Sequence, residues 1–432
     1  MDSLKQKDRT GSLPSCQLAL PTYTFLQPLI TPLAKPHIAG IVAMIIYLIR
    51  GLIAPRSLAV TNEAYFNYLA DAFLHGQLAL RLMPPSGVDL VEYTGRTYLY
   101  WPPFPAIVIA PLVFLFGVAA SDIVYTAVFG AISIALLARL FIALDETGIA
   151  PLTAERRAFL VTALAFGSVI FILAPSGGVW FSAQIIGWCG VLIATVAALT
   201  IRTRWTYFIV GVALACATTT RIGLLFNGVW LAYYLLRRDW SESLRWRATA
   251  IIAALVPAFV GLALLGWYNQ ARFGSLTDMG LAWHTMNPLF RDDFMRYGAF
   301  NPHYLPKNLY YHFIAYPIFS REEWMMGGGL FWMTPILIGA PYAAWRERRN
   351  PLIWSLLISC LLVYIPVGLV MGTGFVTFGP RYLLDLMVPI VVLTAIGIRH
   401  WRLDTLRVLM LISCATYTIG SVIWWFKQYY LP

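Results

Sequence analysis

Residues 61–117 read TNEAYFNYLADAFLHGQLALRLMPPSGVDLVEYTGRTYLYWPPFPAIVIAPLVFLFG. This is the first long interruption in a chain that otherwise runs almost continuously as apolar segments. It gathers Glu63, Asp71, His75, Asp89, Glu92 and Arg96 into one loop. Carboxylates held beside a bilayer suit either a solvated connector or a reaction site, and the rest of the chain has to decide between them.

The surrounding composition belongs to a membrane protein. Of 432 residues, 59% are hydrophobic and 12% charged, and the mean hydropathy is +0.70, more than a water-soluble core requires. A spanning helix takes about 20 apolar residues, and about eleven such stretches are visible: 37–55, 122–144, 156–174, 179–201, 205–220, 222–236, 248–268, 327–345, 352–371, 381–398 and 405–426. The expected fold is an all-α polytopic membrane protein. Its first 36 residues form a cytoplasmic N-terminal segment, and residues 37–432 form one transmembrane domain. The first span, near His37, acts as an uncleaved anchor. Segment 105–116 is apolar but short and bounded by prolines and Gly117, which predicts an interfacial or re-entrant helix.

Orientation follows from arginine. If 105–116 does not cross, the loops carrying Arg156/Arg157, Arg202/Arg204, Arg237/Arg238, Arg346/Arg348/Arg349 and Arg399/Arg402 share one side with the N-terminal lysines. The positive-inside rule makes that side cytoplasmic. Loops 56–121 and 269–326 then lie on the outer face of a plasma (inner) membrane. Trp101, Trp324, Trp332, Trp424 and Trp425 fall near the outer boundaries, where amphipathic rings sit. The net charge of +11 is therefore topological, and no basic face for nucleic acid is present. The five cysteines are scattered without disulfide or metal spacing.

Within the first outer loop, Phe66, Leu69, Ala70 and Phe73 recur at helical spacing after Thr61 or Asn62 as a candidate N-cap. That predicts an amphipathic helix at the membrane surface, with Glu63 in its first turn and Asp71 two turns on. Glu63 there also suits the helix dipole. Arg96, Arg221, Arg272 and Arg381 lie on the outer side, against the topological rule. A planar guanidinium in such a place suits a phosphate; an internal pair, Arg381 with Asp385 one turn later, is the other reading. No phosphate loop for a soluble nucleotide is present, so an outer-face phosphate would arrive on a lipid. His284, His303 and His312 are too widely spaced for a metal motif and are expected to be plain loop residues. No cofactor is expected.

In this order the motifs resemble those of the GT-C superfamily of membrane glycosyltransferases, the branch of protein O-mannosyltransferases and the lipid A aminoarabinose transferase. The resemblance is carried by Asn62-Glu63 with Tyr68-Leu69-Ala70-Asp71, by Gly95-Arg96-Thr97-Tyr98 leading to Trp101-Pro102-Pro103, by Tyr268-Asn269 before Arg272-Phe273-Gly274, and by Phe378-Gly379-Pro380-Arg381-Tyr382. It implies transfer of a sugar from a polyprenyl-phosphate donor to a lipid, glycan or protein acceptor at the outer face. Family enzymes place an aspartate base in the first outer loop; Asn62 stands there, so Glu63 and Asp71 are the two candidates. The four arginines would bind the donor phosphate, and Asn62, Tyr98, Asn269 and Tyr382 would line the substrate site. A membrane transporter or flippase for a lipid-linked or anionic substrate is the alternative.

Overall fold

The computed structural model describes residues 27–53, 57–286, 288–316, 326–374 and 377–430. Among the described residues, seven helices are long and apolar enough to cross a membrane: Pro36–Ile53, Asp122–Glu146, Val179–Thr200, Leu244–Phe273, Pro351–Leu369, the continuous segment Arg381–Ile398, and Leu403–Ile423 within the helix Leu403–Tyr430. The remaining four predicted spans are helical but short or broken. Trp205–Thr218 runs 14 residues, Ile222–Asn227 is a 3₁₀ turn feeding Gly228–Arg238, and 330–346 is interrupted at Pro335. The fourth, Ala154–Phe166, stops at Gly167, where a Cβ would lie 2.7 Å from the Cys414 backbone nitrogen. Chain regularity yields there to a close crossing with Leu403–Tyr430, and Thr334 donates to the freed Gly167 carbonyl at 2.9 Å. Residues 1–26 of the expected N-terminal segment lie outside the described residues, but Leu33 and Ala34 already pack into the core.

The first loop departs from the all-helical expectation. Leu90–Tyr93 and Arg96–Leu99 form an antiparallel hairpin with Tyr93 opposite Arg96, so only Thr94 and Gly95 turn the chain. Both have positive φ, 49° and 73°, the conformation of the two-residue turns whose twist matches paired strands. The helix Phe104–Phe116 has 13 residues, about 20 Å of rise, too short to cross. Its Phe114, Leu115 and Phe116 are exposed. The helix Tyr65–Leu74 is not the surface helix its periodicity predicts, for Tyr65, Asn67, Leu69, Ala70 and Ala72 are all fully buried. Asn67 explains why: its side chain donates to the Val118 and Ala120 carbonyls at 3.0 and 2.7 Å, tying the helix to the loop ahead of Asp122. Trp332 is exposed as expected of a boundary ring, but Trp101 is buried. Trp324 and the side chains of Trp424 and Trp425 lie outside the described residues.

Neither Thr61 nor Asn62 caps the Tyr65–Leu74 helix, and Glu63 precedes it. Thr61 is used elsewhere. Its backbone N–H donates to one oxygen of the buried Asp122 carboxylate at 2.9 Å and its hydroxyl to the other at 2.5 Å. The Gly178 N–H reaches the same carboxylate at 2.6 Å. One step on, the Val179 N–H donates to the Glu63 carbonyl at 2.9 Å. Gly177 and Gly178 carry φ of 66° and 78°, and a Cβ on Gly177 would lie 2.9 Å from Asp122 Oδ2. Asp122→Ala would leave three buried donors without an acceptor, and an unanswered buried donor costs roughly 1–3 kcal/mol. Thermal unfolding of detergent-solubilised protein should show a large fall for Asp122→Ala and a smaller one for Asp122→Asn, which keeps one acceptor; equal melting for all three would remove Asp122 from this role.

The second loop is anchored through His312. Its ring is fully buried, with Nδ1 3.3 Å from the Tyr364 hydroxyl and Nε2 3.2 Å from the Thr373 carbonyl. Burial lowers its pKa to about 4. Above the unfolded value of about 6.5 the ring is neutral in both states and carries no penalty. Below it the unfolded chain binds the proton and the folded one resists, so stability is lost as pH falls from 6.5 towards 4. Melting temperature measured across that window should fall in the native chain and fall less steeply in His312→Asn; parallel slopes would mean other groups govern acid loss.

Candidate functional site

The two long loops meet at one end of the helix bundle. Val91 and His284 form an isolated antiparallel bridge, with Asp89 N–H donating to Thr285 O at 2.9 Å and Thr285 N–H to Leu90 O at 2.7 Å. Beneath this junction lies a cavity of about 580 Å³. Its polar wall carries Glu63, Asp89, Arg221, His284, Arg381 and Asp385. Apolar Ile222, Gly223, Pro366 and Val367, adjacent to one another, also line it.

The two arginines differ in how far they are neutralised. Arg221 follows the Trp205–Thr218 helix, and its Nε donates to both Asp385 oxygens at 3.0 and 2.9 Å while Nη2 reaches Oδ2 at 2.8 Å. The alternative pairing of Asp385 with Arg381 therefore does not form. Register is the reason. Residues 381–386 begin as a 3₁₀ turn, not the α-helix that would set 381 over 385. Arg381 is buried, donates from Nε to the Gly374 carbonyl at 3.2 Å, and stacks on Phe181 and Tyr382. Among the described residues no carboxylate lies within ion-pair distance of it. A buried cation with one neutral acceptor and two aromatic faces is chemically able to meet an anion.

Of the other expected site residues, Glu63 and Tyr382 line the cavity. Glu63 is half-buried, and its backbone is set by the Asp122 contacts. Asp71 does not line it. Its carboxylate takes a two-point contact from Arg81, Nε to Oδ2 at 3.0 Å and Nη2 to Oδ1 at 2.9 Å, rather than facing Arg96, which is exposed on the hairpin. Asn62 is exposed outside the cavity. Arg272 is buried away from it, donating to Leu99 O at 2.6 Å and to Asn269 Oδ1 at 2.9 Å and stacking on Tyr268. Tyr98 packs edge-on to Phe273 beside it. Arg272, Asn269 and Tyr98 thus pin the hairpin to the end of the Leu244–Phe273 helix. The motif around them supports the site from behind.

Three groups escaped the sequence argument. Asp89, at a φ of 66°, accepts from Trp180 Nε1–H at 2.7 Å and contacts His284 Nε2 at 2.8 Å. The Tyr100 ring stands edge-on to His284 at 5.1 Å, and burial, with Asp89 close by, pushes its phenol well above the ordinary value. It stays a neutral hydroxyl. Asp89 was visible as a loop carboxylate, but nothing local marked it over Asp71, and spacing misplaced His284 as a bystander. Among the described residues no group of three or more histidine, cysteine or acidic side chains could hold a metal ion.

No family model matches the chain, and no curated protein sequence matches it. Among solved structures, it aligns with ArnT from Cupriavidus metallidurans in the apo state at a TM-score of 0.50 and 16% identity, over 86% of this chain and 61% of that one. It aligns with the Archaeoglobus fulgidus oligosaccharyltransferase in the apo form at 0.51 and 14%, over 90% and 56%. ArnT bound to undecaprenyl phosphate aligns at 0.45 and 15%, over 84% and 60%. The chain thus spans 56% to 61% of the length of the first two structures. At these identities the fold is what is shared, a helical polytopic fold as the apolar segments lead one to expect.

Proposed function

We propose that this chain is a membrane glycosyltransferase that moves a sugar from a polyprenyl-phosphate donor to a hydroxyl acceptor at the outer face of the plasma (inner) membrane. The observation that carries the reading is Arg381, a buried cation without a carboxylate partner among the described residues, in one cavity with Glu63. A lipid phosphate answers that charge, and the apolar lining from Ile222, Gly223, Pro366 and Val367 suits the start of its tail. The fold likeness to a protein named an oligosaccharyltransferase agrees with the same class of chemistry.

In this reading the acceptor oxygen attacks the anomeric carbon as the carbon–phosphate-oxygen bond breaks, and the bonding pair leaves with the polyprenyl phosphate. Glu63 takes the acceptor proton. Arg381 meets the growing negative charge, and Arg221, already held by Asp385, adds its remaining N–H donors. A carrier would instead place ionisable groups along a path through the bundle; here the lining charges gather where the two loops meet.

Purified chain with radiolabelled polyprenyl-phosphate hexoses and pentoses tests this by release of polyprenyl phosphate and labelled product. Glu63→Gln should lower turnover by about 10²–10⁴, and Arg381→Lys should weaken donor use by about ten- to a hundredfold, because an ammonium lacks the guanidinium fork. Asp71→Asn should keep turnover and lose thermal stability. Normal rates in both Glu63→Gln and Arg381→Lys would sink the assignment.

The orientation we assign puts the N-terminus in the cytoplasm and the loop junction outside. Tags after Ser241 and Arg348, both exposed, should report the cytoplasm, and tags after Gly87 and Arg296 the outer side. An outer Arg348 would reverse the topology.

A further inference from the structure

The Asp89–His284 contact joins the two loops, yet it leaves one atom unused. A carboxylate only accepts, so the 2.8 Å contact makes His284 Nε2 the protonated nitrogen. In the neutral ring Nδ1 keeps its lone pair, and it is buried with no hydrogen-bond partner among the described residues. The imidazole side chain is 5% exposed, so a bare acceptor there is costly unless something supplies a donor. Asp89 meanwhile holds a left-handed backbone conformation, φ 66°, which aspartate adopts sparingly. Two loops and a strained residue are therefore arranged so that one ring nitrogen of a cavity-lining histidine stays free.

The neighbours say what it would meet. Trp180, Tyr100 and Trp101 line the same part of the cavity, with Tyr100 and Trp101 stacked at 5.4 Å. Flat aromatic faces beside a single polar acceptor fit a pyranose or furanose ring, whose C–H face packs on the rings while one hydroxyl donates. An anion would be repelled by the nearby Asp89, and an apolar chain would leave Nδ1 unsatisfied. On the transferase reading above, we propose that His284 Nδ1 accepts a hydrogen bond from one ring hydroxyl of the sugar substrate. Asp89 acts as the positioning residue that fixes the tautomer, and Trp180 holds Asp89. His284 is then a specificity-determining residue, separate from the phosphate arginines and from Glu63.

The test is binding of methyl glycosides of common hexoses and pentoses, each with its monodeoxy analogues, to the full chain in lipid nanodiscs, read by saturation-transfer NMR titration. One parent glycoside should bind, and loss of a single hydroxyl should weaken it about 10- to 100-fold. That position-specific loss should vanish in His284→Phe and in His284→Gln, whose amide reaches the Nε2 position and keeps the Asp89 contact. It should persist in His284→Asn, whose amide falls near Nδ1. Melting curves of the three variants separate folding failure from lost recognition. The same discrimination in His284→Gln as in the native chain, or no binding by any glycoside, overturns the assignment. Deoxy donors and deoxy acceptors in the turnover assay then tell which partner carries the hydroxyl. Absence of turnover with every donor would remove the transferase reading while the glycoside titration still judges His284.

Discussion

Asp122 accepts three hydrogen bonds from segments that are otherwise far apart in the chain, two from Thr61 and one from Gly178. Thr61 is fixed, the Glu63 carbonyl is tied to Val179, and Glu63 lines the cavity. A buried carboxylate is tolerated only with its lone pairs answered. At Gly177 a Cβ would crowd the Asp122 carboxylate, so a glycine there lets the neighbouring Gly178 N–H reach it.

The charge arrangement in the cavity follows from geometry at a helix start. Because residues 381–386 wind as a 3₁₀ turn, Asp385 swings to Arg221, and Arg381 is left with a carbonyl and two aromatic rings. A pair buried in this way contributes little net stability, since desolvation offsets attraction. What it does is dispose of one cation and leave the other. The site thereby presents a net positive point beside an aromatic, weakly acidic one, an asymmetry suited to a ligand with an anionic end and a neutral, hydroxylated end.

Closure of the cavity depends on contacts between loops. Arg272 holds the hairpin by the Leu99 carbonyl, the Val91 and His284 backbones pair, and Asp89 bonds to both Trp180 and His284. These contacts convert two long connectors into a roof. They also account for the strained φ at Asp89, which persists only where neighbours over-determine it.

The membrane class, the helical stretches, the short helix at 104–116 and the meeting of two long loops on one side were all legible in the sequence, because apolar length and arginine placement are local signals set by the thickness and chemistry of a bilayer. So were Glu63, Arg221, Arg381 and Tyr382, charged or aromatic groups standing where an apolar chain has little reason to keep them. That Asp89 and Asp385 join Glu63 at the cavity, and Asp71 does not, was not. Asp71 finds Arg81 ten residues away, whereas Asp89 finds His284 across 195 and Asp385 finds Arg221 across 164. Hairpin register, the 3₁₀ start at Arg381 and the Asp122 anchor decide those pairings. Each depends on packing between segments distant in sequence, where a side chain's role is set by the partner that tertiary contact brings to it and not by its own neighbours along the chain.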